Sequence, residues 1–285
     1  MVRLAGTLLA TVLLLSGSAG LRGRPTFGEN AARAVSTWRT SGAATIWRTG
    51  FVPFEDLSTM SRKTRERVNT EYGWVVAGSL PVAPAEARIL WDDGSTMRVP
   101  VIGPREALMA LSPWPEEYTF PDDEEYKLTG AAFTTMRLKT SRGMATVPAW
   151  RLRFSNLPGP IDRVAVDQKA VGTIEDAVGD YPLVDEQITG VEALDERTLL
   201  VSYDYGSCGL EPPPVSLRVR EDPDVVVLGI DVPYEAPGPC AGVGAFGRGV
   251  IRLDEPLGDR VVLDAITALP VLCRRAQNTC HAGHG

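Results

Sequence analysis

The chain has 285 residues and a formal net charge of −7 at pH 7, with 29 lysine and arginine residues against 36 aspartate and glutamate residues. This acidic balance, without a recognisable stripe of basic residues, argues against nucleic acids and anionic lipid surfaces as partners. A chain of this length can bury one large hydrophobic core or two ordinary ones.

Residues 1–20 have the pattern of a secretory signal peptide. Arg3 precedes an apolar run from Leu4 to Leu15, and small residues follow. The run is too short for a membrane-spanning helix, which needs about 20 apolar residues. We therefore predict cleavage at the end of this segment and a secreted, extracellular mature protein, the alternative being an uncleaved anchor. A bacterial lipoprotein needs a cysteine at the cleavage site, and the first cysteine is Cys208, so we expect neither a lipid anchor nor a transmembrane span after cleavage.

Residues 21–157 are predicted to form an α+β module. Apolar residues recur at helical spacing in four short segments. The predicted helices are Glu29–Trp38, Ala43–Arg48, Arg62–Asn69 and Arg105–Leu111. Two stretches of alternating apolar residues, each interrupted by a turn signal, predict β-hairpins. The first turns at Asp93-Gly94 and the second at Ser141-Arg142-Gly143, where glycine can adopt a positive φ.

A segment rich in proline and glycine near Pro158 predicts a domain boundary. Residues 161–272 then alternate between strand-like runs and turns, among them Asp222-Pro223-Asp224 and Glu255-Pro256-Leu257-Gly258. This pattern predicts an all-β, disulfide-containing module, an antiparallel sandwich or barrel, followed by a tail of residues 273–285. The whole chain is therefore expected to be mainly β with a short helical N-terminal part, an α+β fold of two β-rich modules.

The stretch CAGVGAFGRGVIRL contains Gly242, Gly244 and Gly247 in the G-x-G-x-x-G spacing of nucleotide-binding loops. A dinucleotide site requires a helix after these glycines, whereas here an alternating strand, Val250–Leu253, follows. The lysine, HRD and DFG segments that follow a kinase glycine loop are also missing from the remainder of the sequence. We therefore predict a glycine-rich loop that leads into this strand beside a disulfide at Cys240, and no nucleotide cofactor.

All four cysteines lie in the last third of the chain, at Cys208, Cys240, Cys273 and Cys280. In an exported protein an even number of cysteines indicates disulfides, and four cysteines allow three pairings. Closeness in sequence favours Cys208 with Cys240 and Cys273 with Cys280. The tail also holds both histidines, His281 and His284, so capture of zinc or copper is an alternative. The long spacing between the last two cysteines and an oxidising compartment favour a disulfide, and we predict no metal site.

The position of both histidines in the tail argues against Ser-His-Asp and Cys-His catalysis, which need an imidazole inside a rigid cleft. Glycoside hydrolysis needs only two separated carboxylates. Candidate acids stand beside aromatic residues at Glu116, Glu117, Asp122, Asp123, Glu124 and Glu125. An acidic run of this kind is more typical of a solvated loop, and the EF-hand spacing for calcium is missing. We therefore assign no catalytic residue.

Four segments resemble those of a known family. LTGAAFTTMRLKTSRGMATVPAWRLRF is similar to a TSRG-x-A-x-x-PAW segment of secreted proteins and lipoproteins of unknown function from high-GC Gram-positive bacteria. The later segments LLVSYDYGSCG, PGPCAGVG and LDEPLGDRVVLDA resemble the second part of that family, and together they span Tyr126–Ala268. The resemblance implies export, a β-rich body and a bridge between Cys208 and Cys240, but it carries over no catalytic residue.

These observations favour a secreted, non-enzymatic binding or structural protein of the bacterial cell envelope or exterior, with an envelope macromolecule as its partner. A hydrolase that acts on glycans through paired carboxylates is the first alternative. Metal capture by the tail is the second.

Overall fold

The computed structural model describes residues 25–69, 71–112, 119–180, 186–207, 213–233 and 243–271. Within these ranges the helices are α1 (Phe27–Thr40), α2 (Ala43–Thr49), α3 (Arg62–Arg65), α4 (Pro104–Met109) and α5 (Ile174–Val178). The strands are β1 (Ser58–Met60), β2 (Gly73–Val76), β3 (Glu86–Trp91), β4 (Thr96–Pro100), β5 (Glu125–Thr140), β6 (Gly143–Phe154), β7 (Ile161–Val164), β8 (Gln187–Ala193), β9 (Thr198–Ser207), β10 (Ser216–Glu221), β11 (Val225–Asp231), β12 (Val243–Arg252) and β13 (Val261–Asp264). The predicted β-rich α+β class is confirmed. None of the helices in these ranges is long and apolar enough to cross a membrane.

Helix α1 begins at a capping box and presents one apolar stripe to the core. The Thr26 hydroxyl accepts a hydrogen bond from the backbone N–H of Glu29, whose carboxylate accepts one from the backbone N–H of Thr26 at 2.8 Å. The buried residues of the helix follow its 3.6-residue period and are Ala31, Ala34, Val35 and Trp38. Together with α2 and α5, this stripe packs against one face of β11 and β13. Helices from the start of the chain thus cover a sheet formed near its end.

The first sheet has seven strands and is built around the long hairpin of β5 and β6. Gly143 follows the two-residue turn of this hairpin with a φ of 97°. Strand β2 pairs in parallel with the first residues of β5. On its other edge β6 pairs first with β3 and then with β7, which pair in turn with β4 and β1. Both predicted hairpins are present, and the β3–β4 hairpin turns at Gly94, where φ is 82°.

The buried face of β6 changes along its length. Ala145 and Val147 belong to one apolar cluster, which also contains Trp91. Trp150 and Leu152 have even numbers, whereas Ala145 and Val147 have odd numbers, so the two pairs point to opposite faces of the strand. Trp150 and Leu152 belong to a second cluster, which also contains residues of α4. Because successive side chains point to opposite faces of a strand, the seven-stranded sheet has a core on each of its faces.

The last strands form two three-stranded sheets, β10-β11-β13 and β12-β9-β8. They share an apolar cluster to which β11 contributes Val226 and Leu228, while Val225 and Val227 of the same strand face the helices. The result is three layers, a helical layer and two sheets, with β11 buried on both faces. The predicted sandwich is therefore present, and in the ranges that the structure describes its two sheets do not close into a barrel. One pair, β11 with β13, is parallel, because the predicted turn at Glu255–Gly258 carries the chain from one sheet to the other instead of joining neighbouring strands.

Candidate functional site

Strand β12 is paired on one edge and open on the other within the described part of the chain. It pairs with β9 over its full ten residues without a register shift. The next residue, Leu253, donates its backbone N–H to the Arg197 carbonyl on the β9 side at 2.7 Å. Because backbone groups alternate in direction along a strand, the odd-numbered residues of β12 bond to β9. The even-numbered residues therefore direct their N–H and C=O groups toward the open edge.

The same even-numbered residues carry their side chains on the outer face of the sheet. Phe246 is 74% exposed and Val250 is 59% exposed, and the intervening Arg248 and the following Arg252 are exposed as well. Apolar and basic side chains thus alternate along one row. We call the open backbone edge together with these four side chains the β12 edge.

The inner face of β12 shows the opposite pattern, with glycines where core residues usually stand. Gly247 lies opposite Tyr203, and a β-carbon at this position would lie 2.6 Å from the tyrosine ring. A β-carbon at Gly249 would lie 2.5 Å from Leu217 Cδ1 of β10. These glycines make room for side chains of the two sheets. Where a glycine-rich loop is predicted, the described residues instead form strand β12, which already includes Gly244 and Gly247. Gly242, the first glycine of the G-x-G-x-x-G spacing, lies outside the described residues.

The two arginines place positive charge on one edge of an acidic protein. Among the described residues none forms a hydrogen bond or ion pair with the guanidinium group of Arg248. Arg252 contributes to holding the pKa of Asp195 below its ordinary value, although backbone and side-chain hydrogen bonds from nearby residues are the larger causes. The row itself contains no acid, and Asp204 on β9 is an acid that faces the same side of the sheet.

Other edges are shorter, irregular or already engaged. Strand β8, at the opposite edge of the same sheet, has a bulge between Ile188 and Gly190, and bulges hinder the addition of another strand. In the middle of β5 no described strand pairs with the outer edge, and Phe133 is exposed there. Two basic residues of that row are already engaged. Arg137 binds both carboxylate oxygens of Asp92 at 2.6 Å, and Lys139 also has an interaction partner. The β12 edge differs in its basic side chain, because Arg248 has no such partner among the described residues.

A cavity of about 470 Å³ lies where α1 begins beside the ends of β10 and β11. Two carboxylates line it, Glu186, which is buried, and Asp231, together with the ring of Phe27. Asp231 accepts a hydrogen bond from Arg218 Nε at 2.6 Å. Glycoside hydrolysis uses one carboxyl group as an acid and a second as a base or nucleophile. Asp231 is held in an ion pair and Glu186 also has an interaction partner, so neither carboxylate of the described lining is free.

Most of the sequence-predicted site residues cannot be placed. The four cysteines, His281, His284, Glu116 and Glu117 lie outside the described residues. Residues Asp122–Glu124 form a single 3-10 turn, in which Asp123 and Glu124 are exposed, and Glu125 begins β5. In the ranges that the structure describes, no three cysteine, histidine, aspartate or glutamate residues are grouped as metal ligands.

The TSRG segment forms a structural junction. Thr140 Oγ1 accepts a hydrogen bond from the indole N–H of Trp91 at 2.9 Å and donates one to the Gly143 carbonyl at 2.9 Å. The Arg142 guanidinium stacks 3.7 Å from the centroid of the Trp91 ring. Ser141 Oγ donates a hydrogen bond to the Trp47 carbonyl at 2.6 Å. The segment therefore connects the β5–β6 turn to β3 and to α2.

The LDEPLGDR segment is held by the side chain of its own Arg260 and by that of Glu221 at the end of β10. Arg260 bonds to the Glu221 carboxylate at 2.8 Å, and its guanidinium donates hydrogen bonds to the carbonyls of Glu255 and Pro256 at 2.8 Å each. Glu221 accepts the backbone N–H of Asp254 at 2.6 Å. In the TSRG and LDEPLGDR segments, these contacts show side chains that stabilise a turn and a loop.

Sequence reasoning did not single out the β12 edge. The signal was the alternation of Phe246, Arg248, Val250 and Arg252, which predicts a strand with one apolar and basic face. Whether such a face is covered depends on which strands pair with it, and that is a property of the folded chain.

Comparisons with protein families, curated proteins and solved structures found no match to this chain. The function is therefore inferred from the geometry of the described residues.

Proposed function

We propose that this chain is an exported, non-enzymatic binding protein that holds an extended segment of a partner polypeptide on the β12 edge. The observation that carries the proposal is the inversion of β12, with glycines on its core side and Phe246 and Val250 exposed beside an open backbone edge. In strand addition, backbone hydrogen bonds supply affinity and alternate side chains supply specificity.

A partner strand at the β12 edge would continue the β12-β9-β8 sheet. It would bond to the outward N–H and C=O groups of Phe246, Arg248 and Val250, at the usual strand spacing of about 4.8 Å. It would also cover the two apolar side chains, and this burial contributes about 1 to 2 kcal/mol for each of them. The alternating pattern of the edge thus matches what an added strand needs.

A second copy of the chain is the less suitable occupant. The outward row of β12 contains two arginines and no acid. In any antiparallel pairing of two β12 edges, each arginine would stand opposite an apolar residue, a glycine or another arginine. Such a dimer leaves the positive charges without partners, and we therefore propose a different polypeptide.

The proposal that this binding takes place outside the cell or at its envelope is supported by the signal-peptide pattern of residues 1–20. The four cysteines fit an oxidising compartment, where we propose that they pair as disulfides. The resemblance to secreted proteins of high-GC Gram-positive bacteria points to the same compartment. No described residue supplies an observation that favours hydrolysis or metal capture over binding.

The experiment is amide hydrogen exchange by NMR on the full exported chain, with two peptides of about eight residues as probes. One peptide repeats Val-Ser-Gln-Ser and the other repeats Val-Ser-Glu-Ser. We expect at least one of them to slow exchange at the outward amides of Phe246, Arg248 and Val250. The odd-numbered amides of β12, already bonded to β9, should change little.

Two substitutions at one position separate backbone pairing from general surface effects. Val250→Pro removes an outward N–H and leaves the bonds between β12 and β9 in place, as prolines on edge strands do. Val250→Thr keeps the N–H and the branched side chain. We expect the proline variant to lose peptide binding and the threonine variant to keep it. Phe133→Ser, on the open edge of β5, should bind normally.

The proposal would be overturned if neither peptide slowed exchange on β12 or if Val250→Pro bound as well as the unmodified chain. Protection confined to the outer edge of β5 would also overturn it, as would concentration-dependent dimerisation through β12 in the absence of peptide.

A further inference from the structure

We infer that the partner segment of the β12 edge carries acidic residues opposite the arginines, in a four-residue repeat of the form apolar-x-acid-x. This inference rests on the proposed strand addition and specifies its partner. It follows from the order of side chains along the edge, Phe246, Arg248, Val250 and Arg252.

The repeat follows from strand geometry. Directly opposed residues on neighbouring strands share one face, so residues i, i+2, i+4 and i+6 of the partner lie opposite these four side chains. Apolar residues opposite Phe246 and Val250 would cover the exposed apolar surface. Acidic residues opposite Arg248 and Arg252 would pair with their charges. The intervening residues of the partner face the other side and are not specified by this row.

The net charge of the whole protein predicts the opposite preference, for a basic peptide, so the two effects can be distinguished. The chain has seven more acids than bases, so long-range electrostatics alone would favour a basic peptide over an acidic one. The local row favours the acidic peptide, because the guanidinium of Arg248 has no acidic partner among the described residues. Selectivity for acid therefore reports on the β12 edge and not on the net charge.

The same exchange assay tests the inference with four peptides. They repeat Val-Ser-Glu-Ser, Val-Ser-Gln-Ser, Val-Ser-Lys-Ser and Val-Glu-Ser-Ser. The last has the composition of the first but places its acids on the opposite face of the strand. We expect the first peptide to bind about tenfold more tightly than the glutamine peptide, as two exposed ion pairs allow. The lysine and rearranged peptides should bind more weakly than the first.

The variant Arg248→Gln/Arg252→Gln should bind the first two peptides equally, and raising the salt concentration should reduce the preference of the unmodified chain. Equal binding of the glutamate and glutamine peptides to the unmodified chain would overturn the inference and leave strand addition standing. Equal binding of the first and the rearranged peptides would also overturn it. Loss of all peptide binding would instead overturn the proposed function.

Discussion

The hydroxyl of Thr140 is the centre of the TSRG junction, and its removal gives the sharpest test of how that junction stabilises the fold. Thr140 is 2% exposed, and its oxygen makes hydrogen bonds with the Trp91 indole, the Gly143 carbonyl and the Arg142 backbone N–H. Thr140→Val keeps the shape of the side chain and removes all three bonds. The Trp91 side chain is 1% exposed, so its N–H would lose its only hydrogen-bond partner among the described residues.

A buried donor or acceptor without a partner costs about 1 to 3 kcal/mol. The indole N–H should bear most of this cost, because water can reach the turn more easily than it can reach the indole. We therefore expect Thr140→Val to lower the free energy of unfolding by about 2 to 4 kcal/mol. Thr140→Ser keeps the hydroxyl and loses one methyl group, and it should lower the free energy by about 1 kcal/mol.

Urea unfolding followed by tryptophan fluorescence measures these differences, provided that the dependence on urea concentration is the same for all variants. Thr135→Val is the control, because Thr135 is an exposed threonine of the same strand, and its unfolding free energy should stay within about 0.5 kcal/mol of that of the unmodified chain. The reasoning is refuted if Thr140→Val is as stable as the control or if Thr140→Ser is as unstable as Thr140→Val.

Three further predictions concern the second half of the chain. Gly247→Ala should lower the unfolding free energy by about 1 to 3 kcal/mol because its β-carbon meets a tyrosine ring, whereas Gly244→Ala, with open space, should not. Burial raises the pKa of Glu221, but hydrogen bonds from backbone N–H groups and an arginine bring it below its ordinary value of 4.5. This carboxylate therefore adds stability at neutral pH that is lost as the pH falls through its lowered pKa, and Glu221→Gln should reduce the dependence of Tm on pH in that acidic range. Cys208 is one residue after Ser207 and Cys240 is three residues before Val243, the residue that pairs with Ser207. A digest without reductant should therefore yield a peptide in which Cys208 is linked to Cys240. Alkylation of both of these thiols without reductant would contradict this prediction.

Local sequence signals predicted the elements whose geometry is set by a few neighbouring residues. The Asp93-Gly94 turn requires a positive φ that Gly94 adopts, and the alternation of β9 places Leu199 and Val201 in the core. The helix predicted over Arg62–Asn69 instead ends at Arg65. A distant side chain explains the difference, because the hydroxyl of Tyr126 bonds to backbone groups at residues 67 and 69.

Features that depend on pairing between distant segments could not be predicted in this way. The parallel pairing of β11 with β13 requires the chain to cross between sheets after β12. The burial of α1 on β11 joins residues 27–40 to residues 225–231, which are far apart in the sequence. The open edge of β12 follows from the same long-range arrangement, so its alternating side chains had no visible role in the sequence.

Experiment can distinguish residues that bind a partner from residues that stabilise the fold, because we expect binding and stability to depend on different side chains. Phe246 is 74% exposed, so Phe246→Ser removes little buried surface and should leave the unfolding free energy within about 0.5 kcal/mol of that of the unmodified chain. The same substitution should weaken peptide binding at the β12 edge. A residue that supported the fold would show the reverse, as we expect for Thr140. If Phe246→Ser unfolded as readily as Thr140→Val, the phenylalanine would be part of the core and the β12 edge would not be an open binding surface.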